Sequence, residues 1–557
     1  MKNIFKIKAI SSLEKVFLTD DFDSKKEINK ISVFKNEKTS FQILYQYIGE
    51  TKDTPLGTLE VNSEIADIIS VNQVVSVPCH MPVNPAKVDD YYLKTEPGLY
   101  PDLIMPIHYN GRINFSATQL SSLWVDIDVP KDYKAGNYTV SFSVLDDQGG
   151  LLGKQSVEIE IFDIVLPVYD FHHTEWLHCD CIAEQYTLEI NSNKYFKAVE
   201  NYIKNAVDNG INTIMVPVIT PSLDIYKGGE RKNTQLLKII KNGEKYNFDF
   251  SLVDRFVEIC DRVGVKHLEM PPLFSQWGAK FAPVIYAFED GFEKRIFGWD
   301  TPSDSAEYQD FLAQFLPALL DYLKSKNKMD DCFFHISDEP ELKDLDTYKK
   351  ATEIVRKHLN GHTIIDACWH VELYEQKVLL TPAVSIGVVD DFVDAGAKDF
   401  WVYYCGAHYT EVTNRYMSQP SARTRIIGVQ MYKYDVKGFL HWGYNFYHNR
   451  WSNDVINPFL DTSGEYFMPS GDAFLVYPGE KLSPLNSIRI KQLRDAMQDI
   501  YMLKLCEKLC GREYVLKLID EGLENPLDFK KYPHNDHYLT DLTARVRNAI
   551  IEKSEGL

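Results

Sequence analysis

Through the first third of the chain, hydrophobic and polar residues alternate. "SLWVDIDVP" sets Leu123, Val125, Ile127 and Val129 against polar partners. "NYTVSFSV" does the same with Tyr138, Val140, Phe142 and Val144, and "SVEIEIFDIVLP" with Val157, Ile159 and Ile161. A period of two gives a strand one face for a core and one for water. "DDQGG" at 146–150 lies between two of these runs as a turn. Alternating strands joined by turns predict an antiparallel β-sandwich. Pro167 in "VLPVYD" breaks the pattern, and a domain boundary is expected at about residue 168.

Beyond it, short apolar runs alternate with longer stretches of helical period. The runs are "HTEWLH" (173–178), "NTIMVPV" (212–218), "KHLEMP" (266–271), "CFFHIS" (332–337), "HTIIDA" (362–367), "SIGVVD" (385–390), "FWVYYC" (400–405) and "GFLHWG" (438–443). Between them lie segments such as "AEYQDFLAQFLPALLDYLKSK", with Phe311, Phe315, Leu316 and Leu319 at helical spacing. Strand–helix alternation of this kind predicts a (β/α)8 TIM barrel, with the third and eighth connections long enough to carry extra loops. In the tail, Ile490, Leu493, Met497, Ile500 and Leu503 form a helical stripe. The expected division is a β-sandwich over 1–168, a catalytic barrel over 169–484 and C-terminal helices over 485–557 packed on the barrel.

Composition narrows the function classes. The formal net charge is −20, which repels nucleic acids and anionic membranes, so neither is an expected partner. No apolar run is long enough to span a bilayer. Lys6 and Lys8 interrupt the apolar stretch of the N-terminus, so no signal peptide is read. Nine cysteines without regular spacing fit reduced thiols, and a cytoplasmic location is expected. Aromatics make up 13% of the chain, which suits both cores and sugar faces. There is no nucleophile elbow and no phosphate-binding glycine loop. "HCDC" at 178–181 has none of the spacings of a structural zinc site, so neither a metal nor another cofactor is expected.

The chemistry concentrates in "FFHISDEPEL", 333–342, where Asp338 and Glu339 stand together at the end of the fourth predicted strand. Barrel enzymes draw catalytic groups from that end. Two neighbours face one pocket only where the strand has ended, and Pro340 favours an extended Glu339 there. A helix start is the other reading, with Asp338 as N-cap and Glu341 completing a capping box. A strand-to-helix loop accommodates both. In most glycosidases two carboxyls flank the scissile bond about 5–5.5 Å or about 6.5–9.5 Å apart. Neighbouring Cα atoms are only about 3.8 Å apart, which fits a different arrangement: one acid protonates the leaving oxygen and the other steadies a nucleophile belonging to the substrate.

"HISDEPEL", together with "TEWLHCDCIA" (174–183), "GFLHWGYNFY" (438–447) and "GDAFLVYPG" (471–479), resembles glycoside hydrolase family 123. That family consists of β-N-acetylgalactosaminidases with a β-sandwich before a (β/α)8 barrel. The resemblance implies a retaining exo-glycosidase whose substrate's 2-acetamido group attacks C1 to give an oxazoline intermediate. It implies Asp338 as stabiliser of the acetamido group and Glu339 as general acid/base. Around them, His178 and Asp180 are candidates for sugar hydroxyls, and Trp277, Trp369 and Trp442 at strand ends for walls of a sugar pocket. Tyr403 is the candidate for the acetamido oxygen, by analogy with the mechanistically similar family 20. Tyr444, Asn445 and Tyr477 are further candidates in or after the eighth loop. Two rival readings are a two-carboxylate glycosidase with Asp338 as covalent nucleophile, and a carbohydrate-binding protein without activity. The expected partner is a carbohydrate bearing β-linked N-acetylgalactosamine; the sequence does not fix the oligomeric state, the aglycone, or galacto over gluco preference.

Overall fold

The computed structural model describes residues 4–49, 56–107, 111–114, 119–359 and 361–555 of the 557-residue chain. The chain forms two compact units: 1–170 with 413–433 and 485–557, and 171–412 with 434–484.

The first unit holds the predicted sandwich. One sheet pairs Ile4–Ser11, Lys38–Ile48, Leu120–Asp128, Ile69–Cys79 and Gly98–Pro106 in that order; the other pairs Lys30–Lys35, Leu151–Val165, Gly136–Leu145, Leu56–Asn62 and Arg112–Asn114. Pairing is antiparallel except between Lys30–Lys35 and Leu151–Val165. The alternating residues meet as expected: Leu123, Val125 and Ile127 share one core with Val140, Phe142, Val144, Val157, Ile159 and Ile161.

The tail corrects an expectation. Residues 485–557 belong to the sandwich unit, not to the barrel, as does 413–433, which the sequence had assigned to the barrel. In the helix Ile488–Cys510 the apolar stripe is buried, but so are polar residues on its other sides: Arg489 is 1% exposed and Arg494 4%. Arg489 Nε lies 2.8 Å from Asp102 Oδ1, and Arg494 Nη1 3.0 Å from Asp126 Oδ1. These acids lie on the sandwich's first sheet, where Trp124 and Ile104 pack against Ile488. A stripe analysis assigns charged positions to water; here buried acids pair with them, as buried charges require.

The second unit is the barrel. Its strands are β1 (His172–Glu175), β2 (Thr213–Met215), β3 (His267–Glu269), β4 (Cys332–Phe333), β5 (Ile365–Cys368), β6 (Thr381–Ser385), β7 (Trp401–Tyr403) and β8 (Gly438–His441). They pair in parallel in the order 4-3-2-1-8-7-6-5. A parallel bridge between Phe334 and Ile364 joins β4 to β5 and closes the ring. Helices of the expected kind follow, such as Ala306–Ser325, capped by Ser305 and burying Phe311, Phe315, Leu316 and Leu319.

The sixth strand differs from its expected place. "TPAVS", 381–385, forms it, and the last two residues of the predicted run, Val389 and Asp390, open the helix Val389–Asp394. Pro382 argues against a central strand because it lacks an N–H, yet here it pairs with Asp366 of β5. Beyond the barrel, hairpins in the second and third connections form a four-stranded sheet over Lys238–Asp249 and Ile285–Phe297.

Candidate active site

The strand ends enclose a cavity of about 260 Å³ in the barrel unit, lined among others by Asp338, Glu339, Asp224, Tyr403, Trp176 and Trp442. Asp338 and Glu339 both face it. The turn that achieves this is visible in the backbone. Glu339 has φ +42°, a left-handed conformation unfavourable for any residue with a Cβ. The extended geometry expected from Pro340 is therefore not what occurs. A left-handed step reverses the alternation of a strand and brings two successive carboxyls to one side; strain of this kind gathers at functional sites. The capping box does not form: the turn after the pair starts at Leu342, with Glu341 at its N-cap position making no side-chain cap.

Each acid is held. The Asp338 carbonyl accepts the Trp277 N–H at 2.9 Å. Tyr403 Oη donates to Glu339 Oε1 at 2.6 Å. Burial raises the proton affinity of both acids; for Asp338 the nearby charges of Glu339, Asp366 and Asp224 push the same way, while for Glu339 the Tyr403 hydrogen bond pulls back. The pair titrates as one system.

Beneath it runs a buried polar network. His335, in the segment between β4 and the pair, sits 2.6 Å from Glu269 Oε1 and 3.2 Å from Asp366 Oδ1. Burial favours neutral imidazole, but the bonds to Asp366 and Glu269 outweigh it and hold His335 as a cation, at about 10. Trp176 Nε1 donates to Glu269 at 2.8 Å, and Tyr348 Oη to Asp366 at 2.6 Å. The Trp176 ring that lines the cavity is thus fixed by the same carboxylate that holds His335.

The structure sorts the predicted residues. Trp277, Tyr403 and Trp442 line the cavity. Trp277 is 36% exposed, has φ +58° and meets Trp451 edge to face, with ring centroids 5.3 Å apart. Trp442 is anchored by its Nε1 on Asp472 Oδ2 at 3.0 Å. His178 also lines the cavity, but both its nitrogens are occupied. Its Nε2–H donates to the Trp442 carbonyl at 2.7 Å, and its Nδ1 accepts from Arg231 at 3.1 Å. Burial and then Arg231 keep it neutral, at about 3.

The other candidates do not line the cavity. Asp180 makes a two-pronged ion pair with Arg231, both contacts 2.7 Å, which leaves it no role toward sugar. Trp369 is 48% exposed and tilts against His370. Tyr444 Oη donates to Asn205 Oδ1 at 2.8 Å and to the Tyr202 carbonyl at 3.0 Å. Asn445 latches the eighth loop to the end of β1: its Oδ1 accepts the His178 N–H at 2.9 Å and its Nδ2 donates to the His178 carbonyl at 3.0 Å. Tyr477 is buried and stacks on Phe459. None of these five lines the cavity, which a motif read along the chain does not reveal.

Asp180, Cys181 and His448 bring ligand-type atoms within 4.8 Å of one another. Arg231 already neutralises Asp180, and His448 lies 2.6 Å from Glu184. Sequence reasoning missed Trp176, Asp224, Arg231, Arg450 and Trp451. Of these, Trp176 lay inside a quoted motif, and the others carry no local signal.

The catalytic-domain model of glycoside hydrolase 123 matches residues 176–506. The chain belongs to glycoside hydrolase family 123. It is accordingly a glycosidase with a carbohydrate substrate. Among solved structures it is similar to a family 123 glycoside hydrolase from Clostridium perfringens, described for its hydrolysis of glycolipid glycans, at 17% identity and TM-score 0.75 over 99% of this chain and 100% of that one. That likeness shows a shared fold from end to end. A GH10 endoxylanase from a sugarcane soil metagenome, at 12% identity and TM-score 0.33, covers 59% of this chain and 97% of its own, too distant to carry an argument. No curated protein matches the sequence.

Proposed function

We propose that this family 123 member is a retaining exo-β-N-acetylgalactosaminidase working by substrate-assisted catalysis. The observation that carries the reading is the adjacent pair, Asp338 and Glu339, turned into one cavity by the left-handed Glu339. Glu339 is the general acid and then the base. Its buried surroundings favour the protonated form that the first step needs, and Tyr403 orients it. Asp338 accepts the acetamido N–H and steadies the positive charge that grows as the carbonyl oxygen closes on C1. The oxazoline then opens to water, activated by Glu339, with net retention.

The Clostridium perfringens enzyme's glycolipid glycans make such oligosaccharides the substrate class to try first. A cytoplasmic setting is part of the proposal: the nine cysteines are free thiols. No described helix is long and apolar enough to cross a membrane. Hydrolysis of 4-nitrophenyl N-acetyl-β-galactosaminide, set beside the plain β-galactoside, tests the reading. The expected result is turnover of the first, very little of the second, and inhibition by a thiazoline analogue of the oxazoline. Comparable turnover of both would refute substrate assistance and favour Asp338 as a covalent nucleophile. Binding without turnover would mark a lectin-like protein.

A further inference from the structure

We propose that Asp366 is the positioning residue of the catalytic pair: its carboxylate clamps the chain two residues before Asp338 and so sets where that acid stands; the inference rests on the reading of Asp338 and Glu339 given above. Asp366 comes from β5, is fully buried and does not line the cavity. Both its oxygens accept from the Ile336 N–H, at 3.1 and 3.2 Å. Oδ1 also accepts from His335 Nδ1–H at 3.2 Å, and Oδ2 from the Tyr348 hydroxyl at 2.6 Å. The Ser337 N–H favours the same ionised carboxylate.

These bonds fall on one short stretch of chain. β4 ends at Phe333, and from His335 to Asp338 the backbone is no longer strand, so its buried N–H groups need acceptors outside a ladder. The third connection holds this stretch by its carbonyls and one hydroxyl. The Leu273 and Phe274 N–H groups donate to the His335 and Ile336 carbonyls at 3.2 and 3.0 Å, the Trp277 N–H donates to the Asp338 carbonyl at 2.9 Å, and Ser337 Oγ donates to the Ser275 carbonyl at 2.8 Å. Asp366 holds the same stretch from β5 by its N–H groups. A left-handed residue with a Cβ persists only where its surroundings over-determine it, and Glu339 follows directly on this doubly held segment.

The clamp has to be a carboxylate. Donors reach both oxygens, and only an ionised acid accepts on both. Placed this close to the pair, its charge pushes the proton affinity of Asp338 up, and His335, bonded to the same carboxylate, pushes it back down. The imidazolium thus makes a buried anionic clamp tolerable beside a catalytic acid. A misplacement of about 1 Å at a reacting group costs on the order of 10²-fold in rate, so a residue that never meets the sugar can still govern turnover.

The test reads kcat and KM separately on 4-nitrophenyl N-acetyl-β-galactosaminide. It compares wild type, Asp366→Asn, Tyr348→Phe, Asp338→Asn and the double variant Asp366→Asn with Asp338→Asn, each well below its melting temperature. Asp366→Asn keeps the shape but turns an N–H toward groups that donate. It should lose about 10- to 100-fold in kcat, the range for hydrogen bonds to a charged group, with KM within about 3-fold of wild type. In the Asp338→Asn background the same change should cost roughly 3-fold or less, because the clamp acts through Asp338. Tyr348→Phe takes one donor from Asp366 and leaves the ring in place; it should lose about 3- to 10-fold in kcat. A merely structural role would lower the melting temperature and leave kcat of the folded enzyme unchanged. Near-native kcat in Asp366→Asn, an undiminished penalty in the double variant, or a loss confined to KM overturns the assignment. Should Asp366→Asn not fold, Tyr348→Phe decides: near-native kcat overturns the clamp, and a loss in kcat at unchanged KM upholds it. Wild type inert on this substrate, or Asp338→Asn near native, overturns the reading of the pair itself, a result distinct from these.

Discussion

Removing the Tyr403 hydroxyl tests the proposed acid at its most exposed point. Tyr403 Oη donates to Glu339 Oε1 at 2.6 Å on the cavity wall, and it stabilises the ionised form of that carboxyl against the upward push of burial. In Tyr403→Phe the push acts unopposed. A hydrogen bond to a charged group contributes about 1.5–3 kcal/mol. Since 1.36 kcal/mol is tenfold in proton affinity, Glu339 should bind its proton roughly 10- to 150-fold more tightly. The sign follows: the limb of the kcat/KM profile where activity falls as the acid loses its proton should move to higher pH, by about one to two pH units. The overall rate should also fall, because Glu339 loses the contact that orients it. The assay is the pH dependence of kcat/KM on 4-nitrophenyl N-acetyl-β-galactosaminide, wild type beside Tyr403→Phe, with thermal melting to confirm folding. An alkaline limb that stays in place, or moves to lower pH, would refute the claim that Tyr403 tunes the catalytic proton.

Glu339→Ala should lose several orders of magnitude on natural disaccharides and much less on activated aryl glycosides, which need little protonation of the leaving group; equal losses on both would place the acid elsewhere. Asp338→Asn should cost about 10²–10³ in rate on both substrate types, because ring closure is needed in each. Azide rescue of Asp338→Ala to an inverted glycosyl azide would instead make Asp338 a nucleophile. Asp338→Asn should also melt higher than wild type at neutral pH. The native carboxyl's proton affinity is raised above its unfolded value, so its contribution to stability is favourable in acid and is lost as pH rises through the native value; the difference should close near pH 4. Prolonged treatment with a chelator should leave activity unchanged, and loss restored by a divalent cation would contradict the metal-free mechanism.

What the sequence revealed was what is local. Alternation in "SLWVDIDVP" is set by the two faces of one strand, so its buried residues were legible without knowing the partner sheet. The pair at 338–339 was legible for the same reason: adjacency is printed in the chain. Its left-handed turn was not, because Pro340 alone favours an extended predecessor and only the surrounding loops over-determine the other conformation. Asp180 and Arg231 illustrate the remaining gap. They are 51 residues apart, and nothing in "HCDC" reveals that a guanidinium from another loop claims the carboxylate. Asp224 and Trp451 join the cavity because the second and eighth connections meet over the barrel mouth, a consequence of strand order that no single segment encodes. The tail was misplaced for a related reason: its charged positions find buried acids on the sandwich, so the apolar stripe alone does not mark its packing face.

The charges of the site fit the chemistry proposed for it. The cavity wall carries three carboxyls, Asp224, Asp338 and Glu339, each pushed toward its protonated form by burial. The His335 cation beneath them does not compensate, because it is shared between Glu269 and Asp366 and that trio carries a net negative charge when both acids are ionised. Three carboxyls against the Arg450 guanidinium on the lining would be a poor place for an anionic ligand. It suits a neutral sugar that becomes positive as the glycosidic bond breaks. On the proposed mechanism, the attraction between the Asp338 carboxylate and the substrate grows as the oxazolinium charge develops beside it. The resting enzyme therefore leaves this attraction unmet until the transition state, which is where an interaction must strengthen if it is to raise kcat.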